Sequence, residues 1–379
     1  MPHRRPARRL RIESLEYRLA PALFTGAVPN LSIDLNTANE VAAFSTDGTT
    51  VTVTLTGGTA TDGGGTVGFA GFGTSTVTFP AATYNSLITI TDSAAGTSVA
   101  FANSTGAYDP VINITLDDPA SGNITFTGVS VFTSAVTAST TAGFIASDVA
   151  SSLLSSAGGG VTLSAPGHDI LLAGALEING QTNLTGNVIR ADNPVNDFIG
   201  RLSLSGPAVA SIFDTNDLTL AASILNFGTL AQTTTITANG NITQTGALTA
   251  TAGAGTTATL AVTSNAGSIT LTDAGNNISN SIALSLSVTG ANTATVVNTV
   301  GLQLGDVALG TGALSLTFNG NLTQRTGTTI QTDGPVSLTV DTGANRNITL
   351  ANAGNRIAGP ITIAEINGGD VRDVSIRNA

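Results

Sequence analysis

One short motif recurs three times at a nearly constant spacing, and this period constrains the fold more than any other feature of the chain. The copies read NDFIGRL, NNISNSI and NRIAGPI and begin at Asn196, Asn276 and Asn355, which are 80 and 79 residues apart. Proteins built from stacked, similar units show such periods because each unit must meet equivalent neighbours. We therefore expect a repeat protein over roughly 192–361.

Two further markers keep the same spacing. GNITQ begins at Gly240 and GNLTQ at Gly320, and SITLTDAGN at 268–276 matches NITLANAGN at 347–355. Gly and Asn tolerate the backbone angles of tight turns. We interpret seven of these residues as structural turn positions of the repeat: Asn196, Asn276, Asn355, Gly240, Asn241, Gly320 and Asn321.

Between the turns, apolar and polar residues alternate with a period of two. TVTVTL at 50–55, VINITL at 111–116 and LSLTF at 314–318 are examples, each only a few residues long. This alternation indicates half-buried β-strands. Short strands, frequent turns and a long fixed period together predict an all-β fold, a right-handed parallel β-helix.

The length of one coil can be estimated from a finer pattern. Apolar residues recur every 20 positions at Ile242, Val262, Ile282, Leu302 and Leu322. This register predicts coils of about 20 residues, four in each block of about 80. A chain of this length would then form roughly 17 coils.

We divide the chain into three parts. Residues 1–23 form a basic segment outside the fold, 24–160 form a β-rich part that continues into the solenoid, and 161–379 form the repeat region. The first half lacks a copy of the Asn-led motif, so a separate N-terminal β-sandwich is an open alternative. IASDVASSLLSS at 145–156 predicts one or two helical turns.

Charge excludes one class of partner. The chain has no lysine and no cysteine, and 22 acidic residues face only seven arginines after residue 21. A body near −15 repels nucleic acid. Since there is no run of about 18 apolar residues, no membrane-spanning helix is expected either.

Candidate chemistry is sparse. His168 and Asp169 are neighbours on a strand and point to opposite faces, and Asp117–Asp118 lies in a turn, where such side chains bind their own backbone. We predict no catalytic, cofactor-binding or metal-binding residue and no enzymatic activity. A Ca²⁺ site at the Asp-containing turns stays an open alternative.

The N-terminus carries a recognisable motif. After an arginine-rich start, residues 15–21 read LEYRLAP, and Leu15, Glu16, Arg18 and Pro21 are its defining positions. The string resembles the LExRxxP-type motif of planctomycete extracellular repeat proteins, with Tyr17 where the usual form has Asp or Pro. The resemblance implies a targeting-type segment on an exported protein.

The Asn–x–apolar–x–Gly–x–apolar endings resemble the β-helix repeats of filamentous-haemagglutinin-like adhesins. Both resemblances imply a secreted or cell-envelope protein with a structural or adhesive function, and surface glycans or surface proteins as partners. The alternative is a β-helix that binds or cleaves polysaccharide. Because the chain stops directly after a repeat, we also expect either a longer reading frame or end-to-end self-association.

Overall fold

The computed structural model describes residues 21–379 except 103, 121, 148–152, 157–158, 230 and 254. The described residues form 40 β-strands and one 3₁₀-helix, Ala81–Thr83. The strands of the N-terminal half are β1 Ala22–Thr25, β2 Asn30–Leu35, β3 Val41–Thr46, β4 Thr50–Thr56, β5 Ala60–Asp62, β6 Thr76–Pro80, β7 Leu87–Asp92, β8 Ser98–Phe101, β9 Ala107–Tyr108, β10 Val111–Leu116, β11 Ile124–Phe126, β12 Val129–Phe132, β13 Val136–Thr140, β14 Ile145–Ser147, β15 Leu153–Ser156, β16 Val161–Leu172, β17 Ala175–Ile178, β18 Thr182–Ala191 and β19 Asp197–Phe198.

Shorter strands dominate the rest of the chain. They are β20 Arg201–Ser205, β21 Val209–Asp214, β22 Leu218–Leu220, β23 Ser223–Asn226, β24 Thr233–Ala238, β25 Ile242–Gln244, β26 Leu248–Thr251, β27 Thr259–Ser264, β28 Ile269–Leu271, β29 Asn277–Ile278, β30 Ala283–Val288, β31 Ala294–Asn298, β32 Leu302–Ala308, β33 Leu314–Phe318, β34 Leu322–Gln324, β35 Ile330–Thr332, β36 Val336–Asp341, β37 Arg346–Leu350, β38 Arg356–Ile357, β39 Ile361–Ile366 and β40 Val371–Ile376.

The strands pair in long parallel ladders that follow the axis of a solenoid. One ladder passes without a break through β2, β7, β10, β13, β16, β18, β20, β22, β25, β28, β31, β33, β36 and β39. The chain is a right-handed parallel β-helix of about 12 turns, which confirms the predicted fold class. Parallel pairing from β7 onward replaces the β-sandwich alternative for that part of the chain.

Inward side chains stack from one coil to the next and form a single hydrophobic core. Phe44, Phe101 and Phe126 occupy one register position in three coils, with ring centroids 5.5 and 5.6 Å apart. Such stacking buries side chains in a thin core, because every inward residue packs against the coils on either side.

The predicted coil length is wrong for most of the repeat region. Leu302 and Leu322 do pair at a spacing of 20, but Ile242 pairs with Ile269, 27 residues on, and does not stack on Val262. Turns lengthen the coils, as between β26 and β27, where seven residues separate the strands. An 80-residue block therefore holds a little more than three coils, and the count of 17 coils was too high.

The N-terminal end has an antiparallel arrangement that the sequence did not predict. β1 pairs with the edge of β2 that faces away from the solenoid, and β4 pairs with the same edge of β3. β6 then pairs with β4. Phe24, Phe69, Phe79 and Tyr84 pack together beneath these strands. Covering the first coil in this way satisfies its backbone groups.

Two smaller findings complete the fold. Residues 145–156 hold β14 and β15 rather than the predicted helical turns, with 148–152 outside the described residues. Across the described ranges, no helix is long and apolar enough to span a membrane.

Candidate functional site

The three motif asparagines are buried and bond to backbone in the same way. Each Oδ1 accepts a hydrogen bond from a backbone N–H of the preceding coil, and each Nδ2 donates to the carbonyl oxygen five residues earlier. The acceptor contacts join Asn196 to Leu176 at 2.9 Å, Asn276 to Leu248 at 2.8 Å and Asn355 to Ile330 at 3.0 Å. The donor contacts reach Ala191, Leu271 and Leu350. Each amide thus takes the place of a peptide group where the chain turns a corner.

Two of these asparagines also pair with a glutamine. Gln244 Nε2 donates to Asn276 Oδ1 at 2.8 Å, and Asn276 Nδ2 donates to Gln244 Oε1 at 2.9 Å. Gln324 and Asn355 repeat the exchange at 2.7 and 2.9 Å. Sequence reasoning missed the glutamines, although both stand in the GNITQ and GNLTQ markers. We call each Gln–Asn exchange an amide rung.

A second set of amides, Asn298 and Asn378, lies one coil further on; Asn298 is buried and Asn378 is exposed. Asn298 Oδ1 accepts from the N–H of Ile278 at 2.7 Å, and Asn298 Nδ2 donates to the Ile278 carbonyl at 3.0 Å. Asn378 makes the same two bonds to Ile357, at 2.7 and 2.8 Å. Asn298 and Asn378 are 80 residues apart, so the period could have identified them, but their flanking residues differ.

The remaining predicted turn residues lie at strand entries. Asn241 Oδ1 accepts from the N–H of Ser268, and Asn321 Oδ1 from the N–H of Asn347, each at 2.9 Å. Gly320 must be glycine because a Cβ would lie 2.5 Å from the backbone nitrogen of Gly301. At Gly240 a Cβ would lie 2.0 Å from Asp217 Oδ1, which accepts from the Asn241 N–H at 2.6 Å.

Outward side chains of the first half form a flat polar surface. Two neighbouring columns of register partners run across β2, β7, β10, β13, β16, β18 and β20. We call this surface the hydroxyl face. Its members are Ser32, Thr89, Asn113, Thr137, Thr162, Asn183 and Ser203 in one column and Asp34, Thr91, Thr115, Ser139, Ser164, Thr185 and Ser205 in the other. All are half-exposed or exposed, and only Asp34 is charged.

Other residues singled out in the sequence lie apart. Leu15, Glu16 and Arg18 fall outside the described residues, while Pro21 is half-buried directly before β1. His168 is exposed. Among the described residues, no group of three or more His, Cys, Asp or Glu is placed to hold a metal ion.

Carboxylates of the Asp-containing turns accept hydrogen bonds from the protein itself. Asp62 Oδ1 accepts from the Gly64 N–H and the Thr66 hydroxyl. Asp118 Oδ1 accepts from the Ala120 N–H at 2.9 Å, and Asp92 Oδ1 accepts from the Asp117 N–H at 2.8 Å. These contacts stabilise turns, as expected for Asp at such positions.

A parallel β-helix whose corners are bonded by buried asparagine amides about 80 residues apart is a solenoid repeat protein. The chain belongs to the family described as repeats of unknown function (DUF5649), whose model matches 148–205, 208–285 and 290–364, more than half of the 379 residues. Each matched repeat contains one of the motif asparagines. No curated protein and no solved structure matches the chain.

Proposed function

We propose that this protein is an exported structural rod of the cell surface or extracellular matrix, adhesin-like and without catalytic activity. The observation that carries the proposal is the hydroxyl face. Seven strands present an almost uncharged array of hydroxyl and amide groups at the strand spacing of about 4.8 Å. An extended, rigid surface of this kind suits binding by many weak contacts.

The partner we propose for this face is a neutral surface polysaccharide. Hydroxyl and amide side chains both donate and accept hydrogen bonds, so they complement the hydroxyl groups of sugars. An acidic body repels anionic partners, whereas a neutral chain meets no such repulsion. Binding, rather than cleavage, is the proposal, and surface proteins are the alternative partners.

Export is the second part of the proposal. It rests on the LEYRLAP string and its arginine-rich start, which resemble the N-terminal motif of planctomycete extracellular repeat proteins. In the native host, the full chain should then be found outside the cell or in the envelope. A chain lacking residues 1–21, which keeps β1 whole, should fold but stay in the cytoplasm, and equal distribution of the two would contradict the proposal.

Binding is tested with substitutions that place charge on the hydroxyl face. Thr115 and Thr137 are exposed there, so Thr115→Lys with Thr137→Lys should weaken binding to immobilised neutral polysaccharides about tenfold or more. Thr233→Lys with Thr251→Lys is the matched control, since both threonines are exposed on strands outside the face. Equal binding of the two variants would refute the face as the site. Release of reducing ends from the same polysaccharides would refute the absence of catalysis.

End-to-end contact between two copies is also proposed, at the last coil. Among the described residues, β39 pairs with β36 alone and β40 with β37 alone, and Ile363, Ile366 and Val374 are 38, 43 and 48% exposed. Residues 342–379 carry four arginines and three acidic residues, so this end lacks the strong negative charge of the rest. Unpaired strand edges with apolar side chains favour association.

A further inference from the structure

Three backbone hydrogen bonds place three residues, spaced 84 and 80 positions apart, in the same position of the coil. The donors are the N–H groups of Thr215, Thr299 and Ala379, which donate to the carbonyls of Asn196, Asn276 and Asn355 at 2.7, 2.9 and 2.8 Å. The residues directly before the donors are Asp214, Asn298 and Asn378. By register these three are equivalents, although one is an acid and two are amides.

The two amides show what this position requires. Each accepts from the backbone N–H and donates to the carbonyl of one residue in the preceding coil, Ile278 for Asn298 and Ile357 for Asn378. Phe198 holds the corresponding place for Asp214, because it follows Asn196 by two residues, as Ile278 follows Asn276. An ionised carboxylate can accept from the Phe198 N–H but has no proton to donate to the carbonyl.

The surroundings of Asp214 disfavour a negative charge. Its side chain is fully buried, and Oδ2 is buried without a hydrogen-bond partner, while Oδ1 accepts from the Asn216 N–H at 3.1 Å. The charged groups that face it are Asp197 and Asp217, both acidic. Burial raises the pKa of Asp214 to about 6. Repulsion from the two carboxylates also raises it, whereas the backbone N–H groups of Asn216 and Phe198 lower it.

We propose that Asp214 binds a proton when the protein folds and, as a neutral acid, donates it to the Phe198 carbonyl in place of the amide. Phe198 belongs to the first matched repeat, 148–205, and Asp214 to the second, 208–285. The contact therefore joins two repeats. Loss of the proton leaves the Asp214 side chain without a hydrogen-bond donor and places a negative charge near the carboxylates of Asp197 and Asp217. Of the three equivalent joints, the one at Asp214 is therefore the pH-sensitive one.

The direction of the pH effect follows from the raised pKa. A raised folded pKa means that the stabilisation is complete below the ordinary value of 3.8 and is lost as pH rises through about 6. Asp214→Asn supplies a permanent donor. It should lower the unfolding equilibrium constant about a hundredfold at pH 8, at tenfold for each pKa unit, and by less than about tenfold at pH 4.5.

A reciprocal variant provides the matched control. Asn298→Asp should create the same dependence at the equivalent joint, with a much smaller loss at pH 4.5 than at pH 8. If it unfolds at pH 8, its folding at pH 4.5 still supports the proposal. The folded wild type at pH 5 should show the infrared carbonyl band of a protonated carboxyl group that Asp214→Asn reduces. A pH-independent effect of Asp214→Asn, or an Asp214 carboxyl that titrates near 4 in the folded protein, would overturn the inference.

Discussion

Gln244 and Asn276 are 32 residues apart in the sequence, yet their side-chain amides exchange two hydrogen bonds, at 2.8 and 2.9 Å. Gln324 and Asn355 make the same exchange one block later. Two sequence markers of the repeat are therefore the two halves of one contact. Asn276 also bonds to the backbone N–H of Leu248 and the carbonyl of Leu271. The amide rung therefore links neighbouring coils at the ends of their strands.

Substitutions of Gln244 and Asn276 should destabilise the protein, and their effects should be coupled. Asn276→Ala leaves the buried N–H of Leu248 and the carbonyl of Leu271 unpaired, so we expect a loss of about 2–4 kcal/mol in the free energy of unfolding. Gln244→Ala should cost less. A double-mutant cycle measured by denaturant unfolding should show a coupling of about 1 kcal/mol or more.

The control for this prediction is Asn265→Ala, because Asn265 is exposed and its side-chain amide donates to Asn239 Oδ1, also an exposed contact. Its effect should stay within about 0.5 kcal/mol. Additive effects of Gln244→Ala and Asn276→Ala would show that the two amides do not act as a unit.

Gly320→Ala should destabilise through a backbone clash. The new Cβ would lie 2.5 Å from the nitrogen and 2.6 Å from the Cα of Gly301, so the neighbouring coil has to move. We expect a loss of about 2 kcal/mol or more, measured by thermal unfolding. Gly275→Ala is the comparison, since its closest atoms are in side chains at 3.1 and 3.2 Å. A smaller effect at Gly320 than at Gly275 would contradict the account.

Glu40 gives the N-terminal end its own pH dependence. Burial raises the pKa of Glu40 from 4.5 to about 7. A hydrogen bond with the Thr37 backbone lowers this pKa, and the nearby charge of Asp34 raises it. Both carboxyl oxygens of Glu40 are buried. The stabilisation is therefore complete below pH 4.5 and lost as pH rises through 7.

Glu40→Gln should accordingly stabilise the protein at pH 8, by up to about 3 kcal/mol, with little change at pH 4.5. Melting temperatures measured at both pH values in the Asp214→Asn background separate this effect from that of Asp214. A gain of the same size at both pH values would exclude ionisation of Glu40 as its cause.

Ile363→Lys tests the proposed contact between last coils. A charge at this exposed position should abolish association, so sedimentation at increasing concentration should show dimers for the wild type and monomers for the variant. Val195→Lys is the control, because Val195 is 60% exposed on the side of the solenoid. A wild type that stays monomeric up to about millimolar concentration would refute the contact.

Much of the architecture was predictable because it depends on local patterns. In VINITL, Ile112 and Ile114 face the core while Asn113 faces outward, as the alternation requires. The motif asparagines were identified by their spacing, but their bonding partners were not. Leu176 and Leu248 differ in their distance from the asparagine they contact, 20 and 28 residues, so no fixed offset could have revealed them.

The sequence by itself determined that short strands stack as repeats, because strand alternation is a property of neighbouring residues and the 80-residue period requires equivalent surroundings. Only the tertiary structure decided how long each coil is, that β1 and β4 cover the first coil with antiparallel pairing, and that Gln244 meets Asn276. These features depend on turn lengths and on which strand lies in the next coil. That register is set by packing over the whole solenoid, and local residue patterns do not encode it.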